Sequence, residues 1–257
     1  MPDFPKPRLG DIYSITMTSP DLERSLEYYK KLGFAELWRA HEPFPWIQIS
    51  DGTMLIMLRQ GNDPYISLTY YIKELDKVVA ELEKSGITFS QKPKASDMIK
   101  RYTTQSPDRL HISLVTYVEG FKQPTGATML SLPPEDYQKP EKYTNKVCGL
   151  FGEFSHPVKD LDASIAFWQI LGFMAISKFP NPYPWAILTD GLSIIGLHQT
   201  KDFSTPTITF FASDMKDKIG KLKAHGLQNW AYFMGEEHPG HIVLTTPEQQ
   251  HIFLFSF

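Results

Sequence analysis

DLERSLEYYKKLGF (Asp21–Phe34) and DLDASIAFWQILGF (Asp160–Phe173) are two copies of one segment, and they decide the fold. Each begins with an aspartate that can cap a helix and closes on Leu-Gly-Phe, whose glycine can end one. The same offset of 139 residues continues without a gap to the P-x-P-W runs at Pro43–Trp46 and Pro182–Trp185. A gapless repeat of this length indicates a duplicated domain.

The composition bounds the function classes. A chain of 257 residues with a duplication predicts two domains of ordinary size. A net charge of −3 argues against a nucleic-acid or anionic membrane partner. The single cysteine, Cys148, excludes an intrachain disulfide and is typical of a reducing compartment. No stretch resembles a signal peptide or the roughly 18 apolar residues of a membrane span. We therefore expect a soluble, cytoplasmic protein.

Hydrophobic periodicity predicts the elements of each copy. In the first copy, Ser14 and Thr16 alternate with apolar neighbours in a strand that precedes the helix starting after Asp21. Three strands follow, with an Asp51-Gly52 hairpin turn. A fainter strand–helix pattern begins at Ile66 and includes a predicted strand near Ile87–Ser90. Each copy is thus predicted to be a pair of βαβββ units.

This pattern predicts an α+β fold with two tandem domains. The domains span residues 9–118 and 147–257, each with helices on the outer face of a mixed sheet. Residues 119–146 contain four prolines and are predicted to be an ordered or semi-stiff connector.

Paired βαβββ units with a D-L-x-x-S helix closing on L-G-F resemble the vicinal oxygen chelate superfamily. That superfamily includes glyoxalases, bleomycin resistance proteins and extradiol dioxygenases. The resemblance covers both copies. It implies that each domain curls its sheet into a cup and that His, Gln or Glu side chains bind a divalent metal from the cup face.

The resemblance also places the metal-ligand positions on this sequence. In the first copy they fall on Ser14, Met57, Ser67 and Ser113, and in the second on Glu153, Gly196, Thr207 and Phe253. Only Glu153 among them is a competent ligand, because hydroxyls bind first-row metals poorly and phenylalanine not at all. We therefore expect no metal site and no cofactor. A divalent metal held by displaced ligands, after a register slip that brings in His111 or His251, is the alternative.

Strand alternation predicts what the two cups offer instead. The predicted ligand-binding residues are mostly hydroxyl-bearing: Ser14, Thr16, Ser67, Thr69, Tyr71, His111 and Ser113 in the first copy, and Thr207, Thr209 and Phe253 in the second. Such a surface suits a small polar organic molecule, because hydroxyls can donate to and accept from carbonyls and alcohols. Phe211, Phe253 and Phe255 make the second cup the candidate for being filled by its own side chains.

Two hypotheses of different classes follow. The first is a protein that has lost the family metal site and binds a small polar molecule, as a sequestering resistance protein does. The alternative is a lyase, isomerase or dioxygenase-type enzyme that acts through Glu153 and His251 or through a displaced metal. Whether the chain is an enzyme stays open here. Two fused domains favour a monomer, with a homodimer as the alternative.

Overall fold

The structure, a computed structural model, describes residues 4–42, 44–97 and 99–257, so Pro43 of the repeated P-x-P-W run lies outside them. These ranges contain fifteen strands, four α-helices and two short 3-10 helices. The strands are β1 Ile12–Ser19, β2 Ala35–Ala40, β3 Trp46–Ser50, β4 Leu55–Gln60, β5 Ile66–Ile72, β6 Arg101–Gln105, β7 His111–Thr116, β8 Leu150–Pro157, β9 Met174–Phe179, β10 Trp185–Thr189, β11 Ile194–His198, β12 Thr207–Ala212, β13 Trp230–Tyr232, β14 His241–Thr245 and β15 His251–Ser256. The helices are α1 Leu22–Lys31, α2 Leu75–Lys84, α3 Leu161–Ile170 and α4 Met215–Ala224, with 3-10 turns at Pro134–Asp136 and Pro140–Lys142.

The strands form two mixed sheets, one from each copy of the repeat. The first has the order β2-β3-β4-β1-β5-β7-β6, and the second has the order β13-β14-β15-β12-β8-β11-β10-β9. In each sheet, the first strands of the two predicted βαβββ halves, β1 with β5 and β8 with β12, are neighbours. β5 runs parallel to β7 in the first sheet, and β12 runs parallel to β15 in the second. The predicted α+β class with two tandem domains is confirmed. None of the helices in the described ranges has the length and apolar character that a bilayer crossing requires.

The duplicated helices form as their end signals predict. The Asp21 carboxylate accepts a hydrogen bond from the Arg24 amide at 3.0 Å, and Asp160 accepts one from the Ala163 amide at the same distance. These bonds satisfy amides that the first helical turn leaves unpaired. Gly33 follows α1 with a φ of 87°, which a residue with a side chain rarely adopts.

Contacts along the chain group it into two compact units. The first unit comprises the residues up to Thr16, Ile66–Gln123 and Ser155–Ser204; the second comprises Met17–Tyr65, Pro124–Phe154 and Thr205–Phe257. In the first unit α2 packs on β7 and α3 packs on β9 to β11; in the second α1 packs on β2 to β4 and α4 packs on β15. The domain limits inferred from the repeat remain a prediction.

The strand predicted near Ile87–Ser90 does not form, so the first sheet has one strand fewer than the second. Ile87 and Phe89 are buried as the alternation suggests, but the ladder is reduced to a single bridge between Gln91 and Thr103. The Ser90 and Gln91 amides both donate to the Thr103 carbonyl, and the Thr104 hydroxyl donates to the Thr88 carbonyl, so the backbone groups before the bridge are paired outside a regular ladder.

The two Asp-Gly hairpin turns carry the same aspartate in different surroundings. In both copies one carboxylate oxygen accepts bonds from the turn: Asp51 from the Thr53 and Met54 amides, and Asp190 from the Leu192 and Ser193 amides. The second oxygen of Asp51 accepts from Asn145 Nδ2 at 3.0 Å. The second oxygen of Asp190 has no partner among the described residues, and burial raises the pKa of its carboxyl group.

This difference predicts opposite effects of the same substitution. In Asp51→Asn, either the new N–H2 group faces the N–H2 group of Asn145, or the side chain flips and loses the bonds from the turn amides. We therefore expect the substitution to lower the free energy of unfolding by about 1–2 kcal/mol. Asp190→Asn removes a buried charge that costs stability above its raised pKa, so at pH 7 we expect no loss or a gain. Any gain should shrink as the pH falls through the raised pKa of Asp190 and its carboxyl group protonates. Urea unfolding measures the free energy of unfolding of both variants. Equal losses would contradict the difference in surroundings between the second carboxylate oxygens of Asp51 and Asp190.

Candidate functional site

One face of the first sheet carries a row of neutral hydroxyl groups. Strand register brings them together, because Thr69 lies opposite Ser113 in the parallel β5–β7 pair and Thr103 lies opposite Ser113 in the antiparallel β6–β7 pair. Residues on one face of a strand alternate, so neighbours in register share that face. We call this set the hydroxyl face; it consists of Ser14, Thr16, Ser67, Thr69, Tyr71 and Ser113, all in the first unit.

Five of these hydroxyls, all except that of Ser113, form a continuous chain. Thr16 Oγ1 lies 2.8 Å from Thr69 Oγ1, and Thr69 Oγ1 lies 3.1 Å from Ser67 Oγ. Ser14 Oγ lies 3.4 Å from both Thr16 Oγ1 and Tyr71 Oη. A hydroxyl has one donor and two acceptor sites, so these bonds leave acceptor capacity in the chain unused.

The hydroxyl face is shielded from water. Ser14 and Ser67 are 0% exposed, and Tyr71 is 5% exposed. The Phe121 ring packs edge-on against the Tyr71 ring at 5.2 Å, and Gln123 Oε1 accepts a bond from the Tyr13 amide at 3.0 Å. The segment after β7 therefore lies over one end of the face. Hydrogen bonds made in such a dry environment are stronger than in water.

Tyr71 sets the chemistry of this end. Burial raises the pKa of its phenol, an effect that the bond to Ser14 and the charge of Arg101 only partly offset. Tyr71 therefore stays neutral at physiological pH. The chain of hydroxyls can bind a polar group, but none of its members is a base strong enough to remove a proton from carbon.

His111 lies at the edge of the hydroxyl face, at the first position of β7. Its ring nitrogen Nε2 is 3.2 Å from Gln105 Nε2, and burial lowers the pKa of the imidazole. The histidine is therefore neutral at pH 7 and can accept a bond from the Gln105 amide.

The corresponding face of the second sheet is aromatic. Phe253 stacks on Phe255 with ring centroids 5.0 Å apart, and Phe233 lies 4.9 Å from Phe253. Phe211 stacks on Phe257 at 5.7 Å, and its ring lies so close to Gly152 that a Cβ there would meet it at 2.4 Å. These five phenylalanines, all in the second unit, form a packed aromatic cluster where the first sheet has hydroxyls.

The remaining predicted site residues, all in the second sheet, lie in different surroundings. Glu153 is buried in the middle of β8, and His251 is half-buried at the start of β15, opposite Thr207 on β12 and Thr245 on β14. Thr207 Oγ1 donates to the Thr205 carbonyl at 3.1 Å, and Thr209 is buried. Phe253 belongs to the aromatic cluster.

Register identifies site residues that the sequence analysis missed. Thr103 Oγ1 lies 3.3 Å from Ser113 Oγ and extends the hydroxyl face by one strand. The alternation of Arg101, Thr103 and Gln105 would have found it once β6 was paired with β7. No sequence signal indicates that Phe121 lies against Tyr71, because this contact depends on the path of the chain after the sheet.

The donor set does not fit the metal site that the fold implies. The implied positions on the hydroxyl face, Ser14, Ser67 and Ser113, carry weak neutral donors that are hydrogen-bonded to other side chains. The described residues contain no group of three or more His, Cys, Asp or Glu side chains that could hold a metal ion.

The fold matches solved dioxygenase structures. The 2,3-dioxygenase LapB from Pseudomonas sp. KL28 is similar with a TM-score of 0.59 and 15% identity over 95% of this chain and 91% of its own. Homoprotocatechuate 2,3-dioxygenase from Arthrobacter globiformis has a TM-score of 0.60 and 14% identity, over 100% of this chain and 82% of its own. A catechol 2,3-dioxygenase has a TM-score of 0.56 and 12% identity over 99% and 89%.

No family model and no curated protein matches the chain. At identities of 12–15%, the likeness to the dioxygenases is one of fold. The chain thus shares the two-domain α+β fold of these 2,3-dioxygenase structures.

Proposed function

We propose that this protein binds a small, uncharged polar organic molecule at the hydroxyl face of the first sheet, without a metal ion or other cofactor. The observation that carries the proposal is the buried chain from Tyr71 through Ser14, Thr16 and Thr69 to Ser67. It stands where the fold's metal ligands are expected, and its spare acceptor sites can take the hydroxyls of a guest. Movement of Phe121 is the expected entry route.

Catechol is the probe that tests this proposal, because one of the fold relatives is by name a catechol 2,3-dioxygenase and because the paired hydroxyls of catechol can both donate and accept. We expect saturable calorimetric binding in the presence of a chelator, with no loss of catechol absorbance over time. Binding that disappears with the chelator would contradict the proposal.

A matched pair of variants locates the binding. Thr69→Val removes a hydroxyl that holds two bonds of the chain, so we expect catechol binding to weaken about five-fold, the value of one neutral hydrogen bond. Thr209→Val makes the same change at the equivalent position of the second sheet and should leave binding unchanged. Equal affinity of the Thr69→Val variant and the original protein would place the site elsewhere.

The enzymatic alternative is favoured by one observation: Glu153 is a carboxylate only 5% exposed on the corresponding strand of the second sheet. A buried carboxylate beside a carbonyl compound can act as a base, with His251 as the acid. A pH-dependent turnover that Glu153→Gln abolishes would establish this function.

We also expect the protein to be monomeric, which light scattering on a sizing column tests.

A further inference from the structure

Three side chains on adjacent strands of the second sheet form a column of rings. Trp185 stacks on Phe179 with centroids 4.3 Å apart and an interplanar angle of 23°, and on His198 at 5.5 Å and 5°. The column follows from register, because Trp185 on β10 is the partner of Phe179 on β9 and of His198 on β11. All three residues belong to the first unit.

The column is held rigidly at its inner end and open at its outer end. Trp185 Nε1 donates to the Asn181 carbonyl at 3.1 Å, and the Tyr183 ring packs edge-on against His198, which is 9% exposed. Phe179, the outermost ring, is 39% exposed and has no other ring partner among the described residues. A ring that is fixed and exposed can stack on a further ring at little entropic cost.

Phe179 forms one wall of a pocket of about 490 Å³, which is within the size range of small-molecule sites. Pro180, Pro184 and Leu161 supply further apolar walls, and Gln199 supplies a polar group. Gln199 Oε1 accepts a bond from the Leu161 amide at 3.1 Å, which leaves its Nε2 group as a donor. Lys178 at the rim is neutralised by an ion pair with Asp162.

The first copy has the equivalent pocket without these features. Its volume is about 340 Å³, and Ala40 stands where the second copy has Phe179. Arg59 replaces His198 and lies over the Phe44 and Tyr65 rings instead. Gln60 Nε2 donates to the Pro20 carbonyl at 2.6 Å. The fold therefore forms without rings at the positions of Phe179 and His198 and without the available donor.

We propose that the pocket at Phe179 binds a planar, uncharged aromatic ring that carries a carbonyl or hydroxyl group. The ring of the ligand stacks on Phe179 as a fourth member of the column, and Gln199 Nε2 donates to the ligand oxygen. This site is separate from the hydroxyl face and goes beyond the function proposed there.

Benzamide tests the proposal, with cyclohexanecarboxamide as the saturated control of similar size and the same amide. In an NMR titration we expect benzamide to shift the Trp185 indole N–H signal saturably and to bind about five-fold more tightly than the control. Equal affinities, or shifts confined to other residues, would overturn the proposal.

Variants separate this pocket from the rest of the protein. Phe179→Ala, which installs the residue of the first copy, should weaken benzamide binding about five-fold. Met174→Ala, on the same strand and of similar exposure (38%), should not. If circular dichroism shows that Phe179→Ala does not fold, benzamide affinity is measured on Phe179→Leu instead, because leucine keeps apolar volume and removes the ring. Unchanged affinity in the folded variant would overturn the proposal. Thr69→Val should leave the benzamide affinity read from the Trp185 signal unchanged, whatever becomes of the hydroxyl face.

Discussion

Lowering the pH from 7 to 5 is expected to remove about 2 kcal/mol of the free energy of unfolding through His156 alone. His156 is 2% exposed on β8; its Nε2 lies 3.3 Å from Ser106 Oγ, and its Nδ1 has no partner among the described residues. Burial lowers the pKa of this imidazole to about 4, and Asp108 offsets the effect only in part.

The sign follows from proton binding. The unfolded chain takes up a proton near pH 6.5, whereas folded His156 resists protonation down to about pH 4. Stability from this residue is therefore complete above pH 6.5 and declines as the pH falls towards 4. Urea unfolding followed by tryptophan fluorescence at several pH values measures it.

The comparison variant is His156→Gln, which keeps a group able to bond Ser106 but cannot be protonated. Its stability should fall less steeply between pH 7 and 5 than that of the original protein. His41→Gln, at an exposed histidine, should reproduce the original slope. Parallel slopes for the original protein and His156→Gln would show that His156 is not the group responsible.

Gly10→Ala is expected to lower the free energy of unfolding by about 3 kcal/mol. Gly10 has a φ of 115°, and a Cβ there would lie 2.6 Å from the Tyr71 carbonyl oxygen. The equivalent Gly149 repeats this geometry, with a φ of 105° and a Cβ position 2.5 Å from the Phe211 carbonyl. The close approach of two backbones, rather than the turn alone, requires glycine.

Gly86→Ala is the control that separates these two causes. Gly86 has a φ of 93°, but a Cβ there would meet nothing within 4 Å. We expect Gly86→Ala to lower the free energy of unfolding by about 1 kcal/mol, which is the cost of placing an alanine at a positive φ. Equal losses in the two variants, measured by urea unfolding, would contradict a backbone clash at Gly10. Because the clash displaces Tyr71, Gly10→Ala should also weaken catechol binding, which Gly86→Ala should not.

Local signals were enough to predict most elements. Asp21 and Asp160 cap their helices, Gly33 ends one, and Asp51-Gly52 turns a hairpin, because these effects depend on a few neighbouring residues. The prediction of a strand near Ile87–Ser90 was wrong, because alternation predicts which side chains are buried and does not guarantee that a neighbouring strand pairs with the segment. Sequence periodicity likewise placed Ser14 and Thr69 on one face but could not give the distances within the hydroxyl chain.

The sequence by itself determined the duplication and most of the strand and helix order of each copy, since both are written in residue spacing. Only the tertiary structure decided that the hydroxyls bond to one another under Phe121, and that Phe179, Trp185 and His198 stack in a column. Those contacts join residues from different strands. Their existence depends on sheet register and on the path of the connecting chain, which no local pattern encodes.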